Sequence, residues 1–200
     1  MRISYIIFQI MIFLPLVGLS QSAICDIKKN ELGNAYLVDA KAILCLAKNA
    51  DEERTLFYTF ASWCKPCIEH LPDLVALSIV HDININFVLI DKENNIRVKW
   101  ATDILSNYKR VIKENYEQDF KYNILVLKDE TGRRKKNYLK FLTEITPPQF
   151  EVINDMGKHI VIDKSGEVLL VTSYKDKTEN NELDDAGILK EKVLPLLKIE

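Results

Sequence analysis

The chain is read as an α/β fold, with a central mixed β-sheet flanked by helices and an N-terminal helical extension. Three observations predict it. Short runs rich in aromatic and β-branched residues alternate with longer amphipathic stretches, the pattern of strands packed between helices. The last two apolar runs, His159 to Ile162 and Val168 to Thr172, flank Asp163-Lys164-Ser165-Gly166, a hairpin signal that makes one sheet edge antiparallel. Hydrophobic residues make up 48% of the 200 positions and charged residues 28%, which suits one packed core with additions. The expected division is a leader over 1–20, an extension with a helix over 21–50, and the main domain over 51–200.

The leader rests on Arg2, followed by Ile3 to Leu19 without a charge. Gly18 and Ser20 are small residues at the spacing of a signal-peptide cleavage site, so cleavage is expected after Ser20, with Ser22 the near alternative. An uncleaved anchor is the competing reading, because a run of about 17 apolar residues is near the lower limit for spanning a bilayer. The protein is therefore expected to be exported, soluble after cleavage or membrane-anchored if uncleaved. Disulfides persist in exported proteins. Cys25, Cys45, Cys64 and Cys67 allow three pairings. The close spacing of Cys64 and Cys67 favours one local pair and leaves Cys25 with Cys45 as a structural bridge. Free thiols, or a mobile Cys25 passing electrons to the main pair, are the alternatives.

After a polar lead over Asp26 to Asn30, Asn34 to Lys48 reads as a helix with Leu37, Ala40, Leu44 and Ala47 on one face. Thr55 to Phe60 has the composition of a buried strand. The cysteine motif follows, then a helical stripe of Ile68, Leu71, Val75 and Ile79. Ile85 to Ile90 is a second strand. A long amphipathic helix fits Ile96, Trp100, Ile104, Leu105, Tyr108, Val111 and Ile112, with Trp100 in the core. Asn123 to Leu127 is a third strand, and Asn137 to Leu142 forms a helical turn that Pro147-Pro148 ends. Tyr174 to Asp185 is a polar loop, and Ile188 to Leu197 closes as a helix with an irregularity at Pro195. The formal net charge of −2 argues against nucleic-acid binding. Arg133, Arg134, Lys135 and Lys136 form the one dense basic cluster, which reads as a solvated turn after Thr131-Gly132.

The chemistry concentrates in Trp63-Cys64-Lys65-Pro66-Cys67. Thiol–disulfide exchange needs an attacking thiolate and a second thiol that resolves the mixed disulfide. Where a strand runs into a helix, unpaired N–H groups and the positive dipole end favour the thiolate. Pro66 fits an early helical position, where no hydrogen bond is lost, and Lys65 adds positive charge. Cys64 is expected as the exposed nucleophile and Cys67 as the resolving thiol one turn inward. Two cysteines at this spacing are also half of a zinc site. Completing one would need ligands from Cys25, Cys45, His70, His81 and His159, which offer no second close pair, so exchange is favoured. No phosphate loop or serine-nucleophile motif stands out, and no metal, nucleotide or flavin cofactor is implied. Glu69 and Asp73 read as a solvated helix face, and His81 and His159 as structural.

Phe60-Ala61-Ser62-Trp63-Cys64-Lys65-Pro66-Cys67, followed by Leu71-Pro72, resembles the active-site signature of the thioredoxin-like superfamily. It is most similar to the extracytoplasmic thiol-disulfide oxidoreductases of TlpA and ResA type. Ile162-Asp163-Lys164-Ser165-Gly166-Glu167-Val168 resembles that family's last hairpin, and matching is weak between Asn94 and Ile145. The resemblance implies a thioredoxin-like fold, Trp63 at the rim of the sulfurs, and exchange with disulfide-bonded exported proteins. It also implies a membrane electron donor and a bacterial periplasm. The motif's proline points to reduction; an oxidase or isomerase, or a binding module with weak redox activity, is the alternative.

Three positions depart from the family pattern. The family's cis-proline opposite the cysteines is matched here by Met156-Gly157, or by Pro147 or Pro148 if a strand over Phe150 to Asn154 intervenes. Tyr58 stands where many thioredoxins bury an acid. His70 replaces a frequent glutamate and is a candidate proton acceptor for Cys67.

Overall fold

The computed structural model describes residues 25–32, 34–178 and 184–197; the expected leader lies outside them. The elements run β1 (Lys28–Lys29), β2 (Tyr36–Val38), α1 (Ala40–Lys48), β3 (Arg54–Phe60), α2 (Lys65–Glu69), α3 (Leu71–His81), β4 (Ile85–Leu89) and α4 (Ile96–Tyr116). They continue with β5 (Tyr122–Leu127), α5 (Arg134–Ile145), β6 (His159–Asp163), β7 (Val168–Val171), α6 (Lys175–Thr178) and α7 (Asp185–Ile188). A π-helical turn over Leu189–Val193 and α8 (Leu194–Leu197) follow.

Among the described residues, seven strands form one sheet in the order β1-β2-β5-β4-β3-β6-β7. Strands β2, β5, β4 and β3 are mutually parallel, and β6 and β7 add as an antiparallel hairpin. The sheet is mixed and flanked by helices, a thioredoxin-like α/β fold, as the alternation predicts. Its central strands are buried along nearly their whole length, since helices cover both faces of a largely parallel sheet. Leu56, Phe57, Tyr58, Phe60, Ile85 and Phe87 are fully buried there. The weakly matching stretch after Asn94 builds α4, β5 and α5, which place β5 between β4 and β2.

Several boundaries differ from expectation. The helix read from Asn34 begins at Ala40, because Asp39 caps it, its carboxylate accepting the Ala42 N–H at 2.8 Å. Tyr36 to Val38 instead extends the sheet beside β5, and Lys28–Lys29 pairs with it, so the polar lead is not wholly irregular. Leu44 is only half-buried, and Ala42, Ile43 and Leu46 join Ala40 and Ala47 on the packed face. Trp100 is 51% exposed rather than core, as is Ile96 at 50%. In α4 the fully buried residues are Val98, Ala101, Thr102 and Leu105; of the expected stripe Leu105 is buried, Ile104, Tyr108 and Ile112 pack half-buried against the core, and Ile96 and Trp100 alone are exposed. The turn expected at Asn137 is a full helix from Arg134, so the basic cluster is its start and not a free turn. Phe150 to Asn154 is not a strand. The polar stretch after Tyr174 contains α6 and the start of α7. The irregularity expected at Pro195 is the π turn, in which Leu194 N–H reaches back to the Leu189 carbonyl. It falls just ahead of a residue that has no N–H to give to an α-helical ladder.

Candidate active site

Strand β3 delivers Cys64 to the start of α2. Cys64 is the N-cap: its backbone is extended, and its Sγ accepts the Cys67 N–H at 3.3 Å. Pro66 occupies the first turn, where its missing N–H leaves nothing unpaired. Cys64 and Cys67 are disulfide-bonded. Cys64 is 6% exposed and Cys67 1%. Cys64, expected as the exposed nucleophile, is thus buried beside its disulfide partner, and Trp63, at 40%, holds the exposed place. The helix breaks at His70 and resumes as α3, whose first turn contains Pro72.

The other cysteines form the second disulfide, Cys25–Cys45, which ties the lead before β1 to α1. Among the described residues no group of three or more His, Cys, Asp or Glu side chains could hold a metal ion.

A cavity of about 200 Å³ opens beside Cys67, lined also by Pro66, His70, Met156, Gly157 and His159. Gly157, at the loop expected there, therefore faces the buried sulfur of Cys67. Pro147 and Pro148 follow α5 and are not among the residues lining this cavity. Gly157 has φ +75°, and a Cβ placed on it would stand 3.1 Å from the Tyr58 hydroxyl and 3.8 Å from Cys67 Sγ. Only glycine keeps this backbone close to the sulfur without strain.

The loop carrying Met156 and Gly157 is clamped on both sides. The Tyr138 hydroxyl donates to the Asp155 carbonyl at 2.7 Å, and Lys158 N–H donates to Thr59 Oγ1 at 2.9 Å. The Lys158 ammonium is 1% exposed; it donates to the Thr172 carbonyl at 2.9 Å and pairs with the Asp155 carboxylate. A buried charge persists only with such partners.

Titratable groups gather around the cavity. His70 Nε2 contacts the Asp185 carboxylate, which also receives Lys177. Burial pushes His70 below its ordinary value; Asp185 pulls it back, and the Lys177 ammonium adds to the push. His159 is fully enclosed, and burial, aided by His70 and Lys177, lowers it to about 3, so its ring is neutral at physiological pH. Among the described residues, His159 Nε2 and the Tyr58 hydroxyl are buried without a hydrogen-bond partner. Burial raises the Tyr58 hydroxyl above its ordinary value, so it too stays neutral. The two unpartnered polar groups nearest Cys67 are thus neutral, while the carboxylates of Asp155 and Asp185 and the Lys177 ammonium line the same cavity.

His159, expected to be structural, is buried in β6 and lines the cavity; Asp185, expected at the end of a polar loop, begins α7 and reaches His70. No sequence pattern announces the partners of Trp63. The indole N–H donates to both carboxylate oxygens of buried Asp91, at 3.0 and 3.1 Å. The Arg134 guanidinium lies 4.2 Å from the Trp63 ring centroid. The nearest available signal was Asp91 itself, an acid at the end of an apolar strand.

No protein-family model matches this sequence, and searches of curated proteins and of solved structures returned no match either.

Proposed function

We propose that the protein is a thiol–disulfide oxidoreductase that reduces disulfides in exported proteins through Cys64 and Cys67. The observation that carries this reading is the placing of Cys64 Sγ as the cap of α2, accepting the Cys67 N–H, with Cys67 buried behind it. A thiolate formed at Cys64 would meet hydrogen-bond donors and the positive dipole end, which lower its pKa. In the reduced protein the Cys64 thiolate attacks one sulfur of a substrate disulfide, forming a mixed disulfide and releasing one substrate thiolate. Cys67 loses its proton and attacks Cys64 Sγ, releasing the second substrate thiolate. Two electrons pass to the substrate, and Cys64–Cys67 is left oxidised. A dithiol partner at the membrane must return the two electrons, which completes the cycle. The second disulfide supports an oxidising compartment outside the cytosol. Among the described residues no helix is long and apolar enough to cross a membrane.

The test is the reduction potential of the Cys64–Cys67 pair, equilibrated in thiol buffers and read by alkylation and mass. A value near about −270 mV fits a reductase, whereas one near about −120 mV fits an oxidant and would reverse the direction proposed. Cys64→Ser must abolish turnover of a disulfide-bonded protein, and Cys67→Ala must accumulate mixed disulfides through Cys64. A chain that never forms them is a binding module.

A further inference from the structure

The basic cluster Arg133, Arg134, Lys135 and Lys136 has no part in the exchange chemistry, yet the topology brings it to the cysteines. Strands β3, β4 and β5 are adjacent and parallel, so the loops leaving their carboxyl ends lie side by side. The first loop carries Trp63 and Cys64, the second Asp91, and the third leads into α5 at Arg134. Asp91, 3% exposed, receives the Trp63 indole N–H, and its carboxylate lies 3.9 Å from Arg97 and 3.6 Å from Arg134. Arg134 stacks over the Trp63 ring, and Arg97 stands 6.0 Å from its centroid.

Two guanidinium charges on one buried carboxylate leave a surplus of one, and both side chains are accessible, Arg97 at 41% and Arg134 at 37%. Arg133, Lys135 and Lys136 are exposed in the adjoining turn, within about 5 Å of rise along the helix. No carboxylate among the described residues pairs with them. The acids nearby are already engaged: Glu69 with Lys65, Asp129 with Lys92, and Glu130 with Lys140. On a chain of net charge −2, this is a local reversal of sign beside the nucleophile.

We infer that Arg97, Arg134 and the basic start of α5 form a docking surface for acidic peptide segments flanking the substrate disulfide. This inference rests on the exchange function proposed above. It names the substrate class: disulfide-bonded proteins with Asp- or Glu-rich sequence beside the bond. Arg134 and Arg97 are positioning residues, since they touch the indole and not the reacting sulfurs. Opposite charge at the rim speeds encounter and sets register, and both effects fade as salt screens them.

The test uses two labelled peptides containing the same internal disulfide, one flanked by glutamates and one by lysines. Binding to the oxidised full chain is read by anisotropy, so no exchange contributes. At an ionic strength of about 0.01 M the acidic peptide should bind about tenfold more tightly, and the preference should collapse near 0.15 M. The triple variant Arg133→Glu/Lys135→Glu/Lys136→Glu should invert it while leaving turnover of the small neutral bis(2-hydroxyethyl) disulfide unchanged. Equal binding of the two peptides, or indifference to charge reversal, overturns the inference even if the neutral disulfide is reduced. Preference for the acidic peptide without turnover of the neutral disulfide sinks the exchange reading and leaves the surface standing.

Discussion

The two disulfides are the same covalent bond in opposite electrostatic settings. Cys64 and Cys67, three residues apart, sit at the N-terminal end of a helix, with a backbone N–H directed onto Cys64 Sγ. Cys45 lies towards the C-terminal end of α1 and is joined to Cys25 across a separation of 20 residues. There the helix presents carbonyls; one of them, that of Cys45 itself, accepts the Asn49 side-chain amide at 2.9 Å, and the same amide is directed at Cys45 Sγ at 3.5 Å and Cys25 Sγ at 3.9 Å. Both sites thus offer a donor to sulfur, and what differs is the helix end: the positive dipole end favours a thiolate at the first site only. Under the exchange function proposed above, position along a helix, more than exposure, would separate an exchanging pair from a tie: Cys25 and Cys45 are half-buried, whereas Cys64 and Cys67 are buried.

The sharpest way to break this comparison is to exchange sulfur for oxygen at each site. Cys64→Ser should lower disulfide reduction at least about a thousandfold with little change in the urea midpoint. The double variant Cys25→Ser/Cys45→Ser should keep most of its turnover and lose about 3 kcal/mol of stability, as expected for a loop of this length. Comparable activity loss in both would erase the distinction.

A smaller effect comes from His159, beside Cys67. Its folded pKa of about 3 lies below the unfolded value of 6.5, so between these limits the unfolded chain binds the extra proton. Its contribution to stability is therefore complete above pH 6.5 and is lost as pH falls towards 3. The slope is about 1.4 kcal/mol per pH unit at most. Between pH 6 and pH 4 the wild type should lose about 2–3 kcal/mol more than His159→Gln, measured by urea unfolding. Parallel curves would mean that His159 is not buried neutral. No counterpart is expected around Cys25–Cys45.

The smallest effect is expected at Gly157. Gly157→Ala places a methyl against the Tyr58 hydroxyl at positive φ and should destabilise by about 1 kcal/mol. It should also slow resolution by Cys67 several-fold, seen as longer-lived mixed disulfide in stopped-flow quench. Unchanged resolution would show that the backbone at this point need not lie so close to the sulfur.

Much of the fold was legible because its signals are local. Thr55 to Phe60 and Ile85 to Ile90 announce buried strands by composition, and Gly166 marks the hairpin. The cysteine motif announces both a helix start and a chemistry. The misreadings have physical causes. On α4 the apolar stripe packs from Ile104 onward, whereas near its start Val98 and Ala101 pack and Ile96 and Trp100 stay exposed. The regular spacing of Leu37, Ala40, Leu44 and Ala47 hid the cap at Asp39, which ends one element and starts the next. The surroundings of the cysteines were mostly illegible for a different reason. Gly157 opposite Cys67 was legible through the family pattern, but Asp91, Arg134, His159 and Asp185 reach Trp63, Cys67 or His70 from distant parts of the chain, and no periodicity reports such encounters.

The two-residue strand Lys28–Lys29 has a consequence at the far border of the sheet. It pairs with Tyr36 and Leu37 and presents two exposed lysines outward, immediately after Cys25. A short, charged outermost strand is a poor template for a neighbouring molecule, whereas bare Tyr36-Leu37-Val38 would offer an apolar ladder with open backbone groups. Reduction of Cys25–Cys45 frees the segment that carries those lysines. A thiol that reduced this second disulfide would thus uncover a sheet border at which chains stack and aggregate.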